Sequence, residues 1–286
     1  MRDFIYHAPT SLDEALSLLE QYGEDARPIA GGTAMVNLLK QNLVFADHLV
    51  GLGKVPGLRG ISRSNGDLRI GALTKHREVE HSADVASAAP LLAETYIRVA
   101  TVRIRNMATV GGGLTHADPA QDPPPALMAL GARVVLASPG GTRELPVEDL
   151  FVDYYETALQ PGELLTEVIV PAQAADARGV YLKFLPRTED DYATVAVAAL
   201  ARVKDGVCAD VRVALGAVAP TPVRATAVEA ALEGQSVTAD AVRSAAEAVA
   251  GQVDPLADFR GSAEYKRDMA VVFTRRALEQ ALGLGQ

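Results

Sequence analysis

The chain has 286 residues, 49% of them apolar and 22% charged, and its acids outnumber its bases 36 to 27 for a net charge of −9. That balance excludes a disordered chain, and the acidity, with no local basic cluster, excludes nucleic-acid binding driven by Lys and Arg on phosphates. No apolar run approaches the roughly 18 residues of a membrane span, and the start Met1-Arg2-Asp3-Phe4 lacks signal-peptide character, so a cytoplasmic globular protein is expected.

A single cysteine, Cys208, can neither close an internal disulfide nor ligate an iron–sulfur cluster alone. The histidines at 7, 48, 76, 81 and 116 show no H-E-x-x-H or paired spacing, so no metal site is expected. His76 and His81, with Glu78 and Glu80 between them, read as a solvated polar turn. Redox chemistry here would need an organic cofactor.

Ser11-Leu12-Asp13-Glu14 forms a capping box, opening a helix with Leu12, Leu16 and Leu19 on one face and Gly23 as its stop. A short strand over 26–30 runs into Gly31-Gly32, and Thr33 is placed to cap a helix over 34–40. Strand, glycine turn and helix N-terminus together set bare backbone N–H groups against a phosphate. The alternation of Leu68 and Ile70 predicts a strand over 67–72, and a helix is expected over 84–99. Arg105-Asn106-Met107-Ala108-Thr109-Val110 leads into Gly111-Gly112-Gly113, and Pro123-Pro124-Pro125 opens a helix through Leu130. A strand over 133–137 follows. The small, polar tract 172–178, behind Pro171, marks a domain boundary.

Beyond it the pattern changes to strands over 180–185, 193–203 and 207–218, the last two joined by a Lys204-Asp205-Gly206 hairpin signal. Three helices follow: one opened by Thr221-Pro222 and closed by Gly234, one over 240–250, and one over 262–282 carrying Tyr265, Met269, Val272 and Phe273. Strands first and helices after is an α+β pattern.

Two phosphate motifs fail. Gly111 and Gly113 would open G-x-G-x-x-G, but His116 holds the sixth position; Gly51 and Gly53 would open another, but Pro56 does. A P-loop ending at Gly53-Lys54 has His48 in place of its first glycine and Val55 in place of Ser/Thr. What remains is two glycine clusters, each flanked by a threonine, Thr33 or Thr109. Each alone reads as an ordinary turn; opposed, they would grip a pyrophosphate from both sides with backbone N–H donors.

At these residues the sequence resembles the FAD-binding medium subunit of molybdenum hydroxylases, the carbon monoxide dehydrogenase and xanthine dehydrogenase family. The matching stretches are Ile29-Ala30-Gly31-Gly32-Thr33 and Arg105-Asn106-Met107-Ala108-Thr109-Val110-Gly111-Gly112. Three more follow in order: Ala117-Asp118-Pro119-Ala120-Gln121-Asp122, Pro161-Gly162-Glu163-Leu164-Leu165 and Asp190-Asp191-Tyr192-Ala193.

The resemblance implies a vanillyl-alcohol-oxidase-type (PCMH-type) FAD-binding fold over 1–175, with subdomains at about 1–54 and 55–175. A C-terminal domain over 178–286, with a three-stranded antiparallel sheet and helices, would complete it. By the same resemblance Ala30, Gly31, Gly32, Thr33, Ala34 and Met35 supply main-chain donors to the FAD pyrophosphate, Ile29 of the same stretch joins the cofactor-binding set, and Thr109, Gly111, Gly112 and Gly113 supply the second loop. Asp118 lies in a matching stretch and joins the cofactor-binding set. Asp122 matches the acid that binds the adenosine part, and Leu165 a residue packing near the cofactor. Lys183, Arg187, Asp190 and Tyr192 match the segment beside the isoalloxazine ring. Gly113 departs from the commoner Asn or Ser, and Ala34-Met35 from a polar residue followed by leucine.

Read without the family, Asp122 is equally a helix cap, Tyr192 equally core or surface, and 183–191 a solvated charge run. Arg105-Asn106 is expected to brace the second loop through its carbonyls. No catalytic residue is assigned to this chain.

The implied function is electron transfer. FAD would receive electrons from [2Fe–2S] clusters on a small iron–sulfur subunit, which takes them from a molybdenum cofactor on a large subunit. FAD would then pass them to NAD, a quinone or O2. A heterotrimer is the implied assembly. One rival is a self-sufficient FAD-dependent oxidoreductase acting directly on substrate, but Cys208 lies in a hairpin strand away from both loops, which disfavours a covalent flavin link through it. The other rival is an interaction module without cofactor, disfavoured by the two glycine clusters.

Overall fold

The computed structural model describes residues 2–186, 188 and 191–284. The first layer runs β1 (Ile5–His7), α1 (Leu12–Tyr22), β2 (Ala26–Ile29), α2 (Met35–Lys40) and β3 (His48–Gly51), with parallel strands in the order β1-β3-β2. Ser11 caps α1 as expected, its hydroxyl accepting from Glu14 N at 3.1 Å. Glu14 reaches one residue further back than a capping box requires, to the N–H of Thr10 at 2.7 Å. Leu16 and Leu19 bury against Ala26 and Val50, fixing α1 on the sheet.

The next unit contains β4 (Ile61–Ser64), β5 (Asp67–Gly71), α3 (His76–Glu80), α4 (Ala83–Ala88), α5 (Pro90–Ile97), α6 (Val102–Arg105), α7 (Val110–His116) and α8 (Pro123–Ala129). Strands β6 (Arg133–Ser138), β7 (Gly141–Pro146), the small pair β8 (Phe151–Asp153) and β9 (Glu156–Thr157), and β10 (Leu164–Val170) complete it. Its antiparallel sheet has the order β4-β5-β10-β6-β7. The single helix expected over 84–99 is two, because Ala89 precedes Pro90 and is pushed to φ −143°, ψ 68°, out of the helical region. Gly111–Gly113 are not a loop; they form the first turns of α7, capped by Thr109. His76 is no solvated turn either, being 6% exposed.

The C-terminal part holds β11 (Ala177–Phe184), β12 (Val195–Lys204), β13 (Val207–Gly216), β14 (Val223–Arg224), α9 (Thr226–Leu232), α10 (Ala239–Glu247) and α11 (Ala263–Ala281). Its antiparallel sheet has four strands rather than three, because the segment expected to open a helix at Thr221-Pro222 first pairs with β13. Asp205 and Gly206 both take positive φ, 52° and 77°, as a two-residue hairpin turn of the twist-matched type requires. Strand β12 explains its unbroken apolar run. Ala196, Ala198 and Leu200 enter the core shared with the preceding unit, while Val195, Val197, Ala199 and Ala201 face the C-terminal helices. Helix α11 buries Lys266, Ala270, Thr274, Ala277 and Ala281, a stripe offset from the expected one and made mostly of small residues, which lets it lie close on β12; Tyr265 is left exposed. Cys208 is fully buried in β13.

Candidate cofactor site

The two glycine clusters meet. A Cβ added to Gly31 would clash with the Met107 carbonyl, lying 2.9 Å from its carbon and 3.0 Å from Ala108 Cα. Only a glycine lets the turn after β2 touch the segment before α7. A Cβ on Gly111 would lie 2.5 Å from Ala72 Cβ, and one on Gly112 would lie 2.7 Å from Thr109 Oγ1 and 3.6 Å from Ala30 Cβ. Gly113 is less constrained: a Cβ there would stand 3.4 Å from His76 Nε2 and 3.6 Å from Gln121 Oε1. Gly32 is needed for its backbone, with φ at +73°.

The loops contribute unequally. The backbone N–H groups of Ala30, Gly31, Gly32, Thr33 and Ala34 donate to no acceptor among the described residues. Thr33 does not cap α2; its carbonyl accepts from Asn37 Nδ2 at 3.1 Å, and Ala34 occupies the cap position with no side-chain bond. On the other side, Gly111 N donates to Ala72 O at 2.8 Å, Gly112 N to Thr109 Oγ1 at 3.2 Å and Gly113 N to Thr109 O at 2.9 Å. The expectation of bare donors from both clusters is thus met on one side only. The second cluster supplies a close, side-chain-free wall and the Thr109 hydroxyl proton. A run of unengaged amides facing such a wall suits an anionic, extended group such as a dinucleotide pyrophosphate, so the residues present fit FAD.

Buried groups brace this cradle. His76 stands in a T-shaped contact with Tyr96, its Nε2 donating to Thr109 O at 3.1 Å. Burial pulls its pKa down to about 4, so the ring is neutral at neutral pH. Arg105 braces the chain upstream of the expected place. It donates to Val99 O at 2.6 Å and Ala100 O at 2.8 Å, and pairs with Glu80 at 2.8 Å. His116, lowered in pKa by burial, packs its ring 5.3 Å from that of Tyr155.

The remaining expected residues divide into groups. Asp122 holds the N-cap position of α8 without capping it. Its carboxylate instead accepts from Tyr181 Oη at 2.6 Å and Lys183 Nζ at 3.0 Å, and Lys183 also donates to Arg98 O at 3.0 Å. All three side chains are buried, so Asp122 and Lys183 pair across the junction of α8 with β11. Burial raises the Asp122 carboxyl, opposed by Lys183 and Tyr181. Asp118 accepts from Ala120 N at 2.9 Å and Tyr155 Oη at 3.3 Å. Leu165 is core, 5% exposed. Ile29 and Met35 pack on Leu39 and Leu49 under the first loop. Tyr192 is 47% exposed, with its hydroxyl pushed up to about 12 by burial first and then by Asp118 and Tyr155. Arg187 and Asp190 lie outside the described residues.

Sequence reading missed His76, Tyr155, Tyr181 and Arg260. For His76 the neighbouring acids Glu78 and Glu80 pointed the wrong way, to solvent; Tyr155, Tyr181 and Arg260 carry no local signal. Tyr155 sits at φ +57°, an uncommon conformation for a non-glycine. Arg260 lies over Tyr192.

Residues 2–173 match the family described as the FAD binding domain in molybdopterin dehydrogenase, and residues 180–281 the CO dehydrogenase flavoprotein C-terminal domain. The carbon monoxide dehydrogenase medium chain of Hydrogenophaga pseudoflava is 37% identical over 278 residues, 97% of this chain and 96% of that protein. The glyceraldehyde dehydrogenase medium chain of Sulfolobus acidocaldarius is 33% identical, covering 97% and 98%. Among solved structures, carbon monoxide dehydrogenase from Hydrogenophaga pseudoflava superposes with a TM-score of 0.96 at 39% identity, covering 99% of this chain and 98% of that one. Quinoline 2-oxidoreductase from Pseudomonas putida 86 gives 0.94 at 33% identity, covering 99% and 98%. The glycine-lined cradle, the C-terminal sheet under its helices and these relationships lead to one conclusion: the chain belongs to the FAD-binding medium subunits of the molybdenum hydroxylases.

Proposed function

We propose that this chain carries FAD within a multi-subunit molybdenum hydroxylase, together with a large molybdenum-cofactor subunit and a small iron–sulfur subunit. The domains divide at about 175–178, and the assembly works in the cytoplasm. The observation that carries this reading is the run of unengaged amides from Ala30 to Ala34 facing the glycine wall of α7. When bound, FAD would supply the redox chemistry, electron transfer between [2Fe–2S] clusters and an external acceptor such as NAD, a quinone or O2.

The protein's own part is positional and electrostatic. The amides of 30–34 would donate to the pyrophosphate, with Thr109 adding its hydroxyl and Gly111–Gly113 allowing close approach. Asp118, Asp122, Leu165 and Lys183 shape the wall between the cradle and the C-terminal sheet, and Tyr192 lies beside the isoalloxazine ring. Among the described residues no helix is long and apolar enough to cross a membrane.

Co-expression with its partner chains tests this reading. The expected product is a complex with non-covalent FAD on this chain and iron–sulfur clusters on a cysteine-rich small chain. Turnover of the complex's substrate by the purified chain alone would instead establish a self-sufficient oxidoreductase.

A further inference from the structure

Three segments distant in sequence converge around Tyr192. A cavity of about 170 Å³ is lined by Pro186, Asp191, Tyr192, Phe259 and Arg260. On one side, Tyr155 donates to Asp118 at 3.3 Å, and, after burial, both act on the Tyr192 hydroxyl, raising its pKa. On the other side stands Arg260, its guanidinium carbon 5.9 Å from the Tyr192 ring centre and 4.5 Å from that of Phe259.

The turn that presents Arg260 is built to be rigid. Asp258 and Gly261 exchange both backbone hydrogen bonds at 3.1 Å. The Asp258 carboxylate accepts from Arg260 N at 2.8 Å and pairs with the Arg260 guanidinium at 3.2 Å and with Lys266 at 2.8 Å. Lys266, 4% exposed on α11, also donates to Leu256 O at 2.7 Å, tying the loop to the helix. Ser262 caps α11 directly after the turn. A surface arginine would ordinarily sample many rotamers; this one is held by a buried lysine through a shared carboxylate. A guanidinium kept within about 6 Å of an aromatic face attracts that ring through its quadrupole.

We infer that Arg260 is a positioning residue of the cofactor site, by which the C-terminal domain holds the Tyr192 ring in place. The inference rests on the reading that Tyr192 lies beside the flavin. Loss of the guanidinium frees the ring to leave the flavin face. An aromatic ring packed on the isoalloxazine quenches its emission, so fluorescence per bound FAD reads the position of Tyr192 without reference to turnover.

The experiment compares FAD-loaded wild-type complex with Tyr192→Leu, Arg260→Ala, Arg260→Gln, Arg260→Lys and the double variant Tyr192→Leu/Arg260→Ala. Bound FAD is quantified after acid release, and melting temperatures verify folding. Tyr192→Leu, Arg260→Ala and Arg260→Gln should each raise emission per FAD several-fold, Arg260→Lys less so. In the double variant, Arg260→Ala should add nothing to Tyr192→Leu, since the two act on one contact. Arg260→Gln guards against collapse of the turn, because it keeps a donor for Asp258 while removing the charge. Wild-type emission from folded Arg260→Gln and Arg260→Ala, or a full additional rise in the double variant, would overturn the inference. Unchanged emission in Tyr192→Leu would overturn the placement of Tyr192 itself and remove the inference with it.

Discussion

Replacing Gly31 by alanine adds one methyl group where the structure has no space for it. The new Cβ would lie 2.9 Å from the Met107 carbonyl carbon and 3.0 Å from Ala108 Cα. Ordinary carbon–carbon contacts need about 3.5–4.0 Å, so the two segments must part by roughly 0.5–1 Å, and the obstacle is backbone that cannot rotate away. Overpacking of this kind costs about 1–3 kcal/mol in stability. The larger effect falls on the cofactor, because the donors of 30–34 move away from the wall they face. Losing two hydrogen bonds to a charged group, at about 1.5–3 kcal/mol each, weakens binding on the order of 100-fold or more, at about 1.4 kcal/mol per tenfold. Gly32→Ala should be milder, since its nearest neighbour is Val36 Cγ2 at 3.4 Å and the penalty comes from φ at +73°, about 1–2 kcal/mol. Gly53→Ala, with nothing within 4 Å, is the silent control. The assay is FAD titration into deflavo protein, with a melting curve for each variant. Gly31→Ala binding FAD with wild-type Kd would refute the packed-loop geometry.

The buried pair of Asp122 and Lys183 makes a second prediction: Lys183→Met leaves the carboxylate unpaired and should cost about 3–5 kcal/mol in urea unfolding, whereas Asp122→Leu/Lys183→Met should recover most of that loss. His76 makes a third, on pH. Its folded pKa near 4 lies below the ordinary value of 6.5, so the unfolded chain binds the proton more tightly. Stability is therefore full above pH 6.5 and is lost as pH falls from there towards 4, by about 3 kcal/mol in total. Melting temperatures of wild type and His76→Gln across that range should show a flatter slope in the variant. Thr109→Val removes the cap of α7 and its hydroxyl proton; a stability loss of about 1 kcal/mol should accompany weaker FAD binding, both read in the titration and melting series used for Gly31.

Local chemistry in the sequence was sufficient wherever a residue's role depends on its near neighbours. Ser11 caps its helix, Asp205-Gly206 turns its hairpin, and β2 runs into a glycine turn because each needs only a few adjacent residues of the right type. Both glycine clusters were likewise legible from the residues themselves. Pro90 lies within the span expected as one helix, and its effect on Ala89 breaks that helix in two. Tertiary structure decided everything that turns on what a residue meets across the chain. The free amides of 30–34 and the engaged amides of 111–113 look alike in sequence; Ala72 and Thr109 as acceptors make the difference. Asp122 read as a cap or a cofactor ligand until Tyr181 and Lys183, some sixty positions on, were found against its oxygens. His76 read as solvated because acids stand beside it in the chain, yet its ring turns in towards Thr109 and Tyr96, and Glu80 also turns in, to pair with Arg105. The physical reason is common to all of these: hydrogen-bond satisfaction and desolvation depend on distances between atoms brought together by folding, and sequence separation carries almost no information about them.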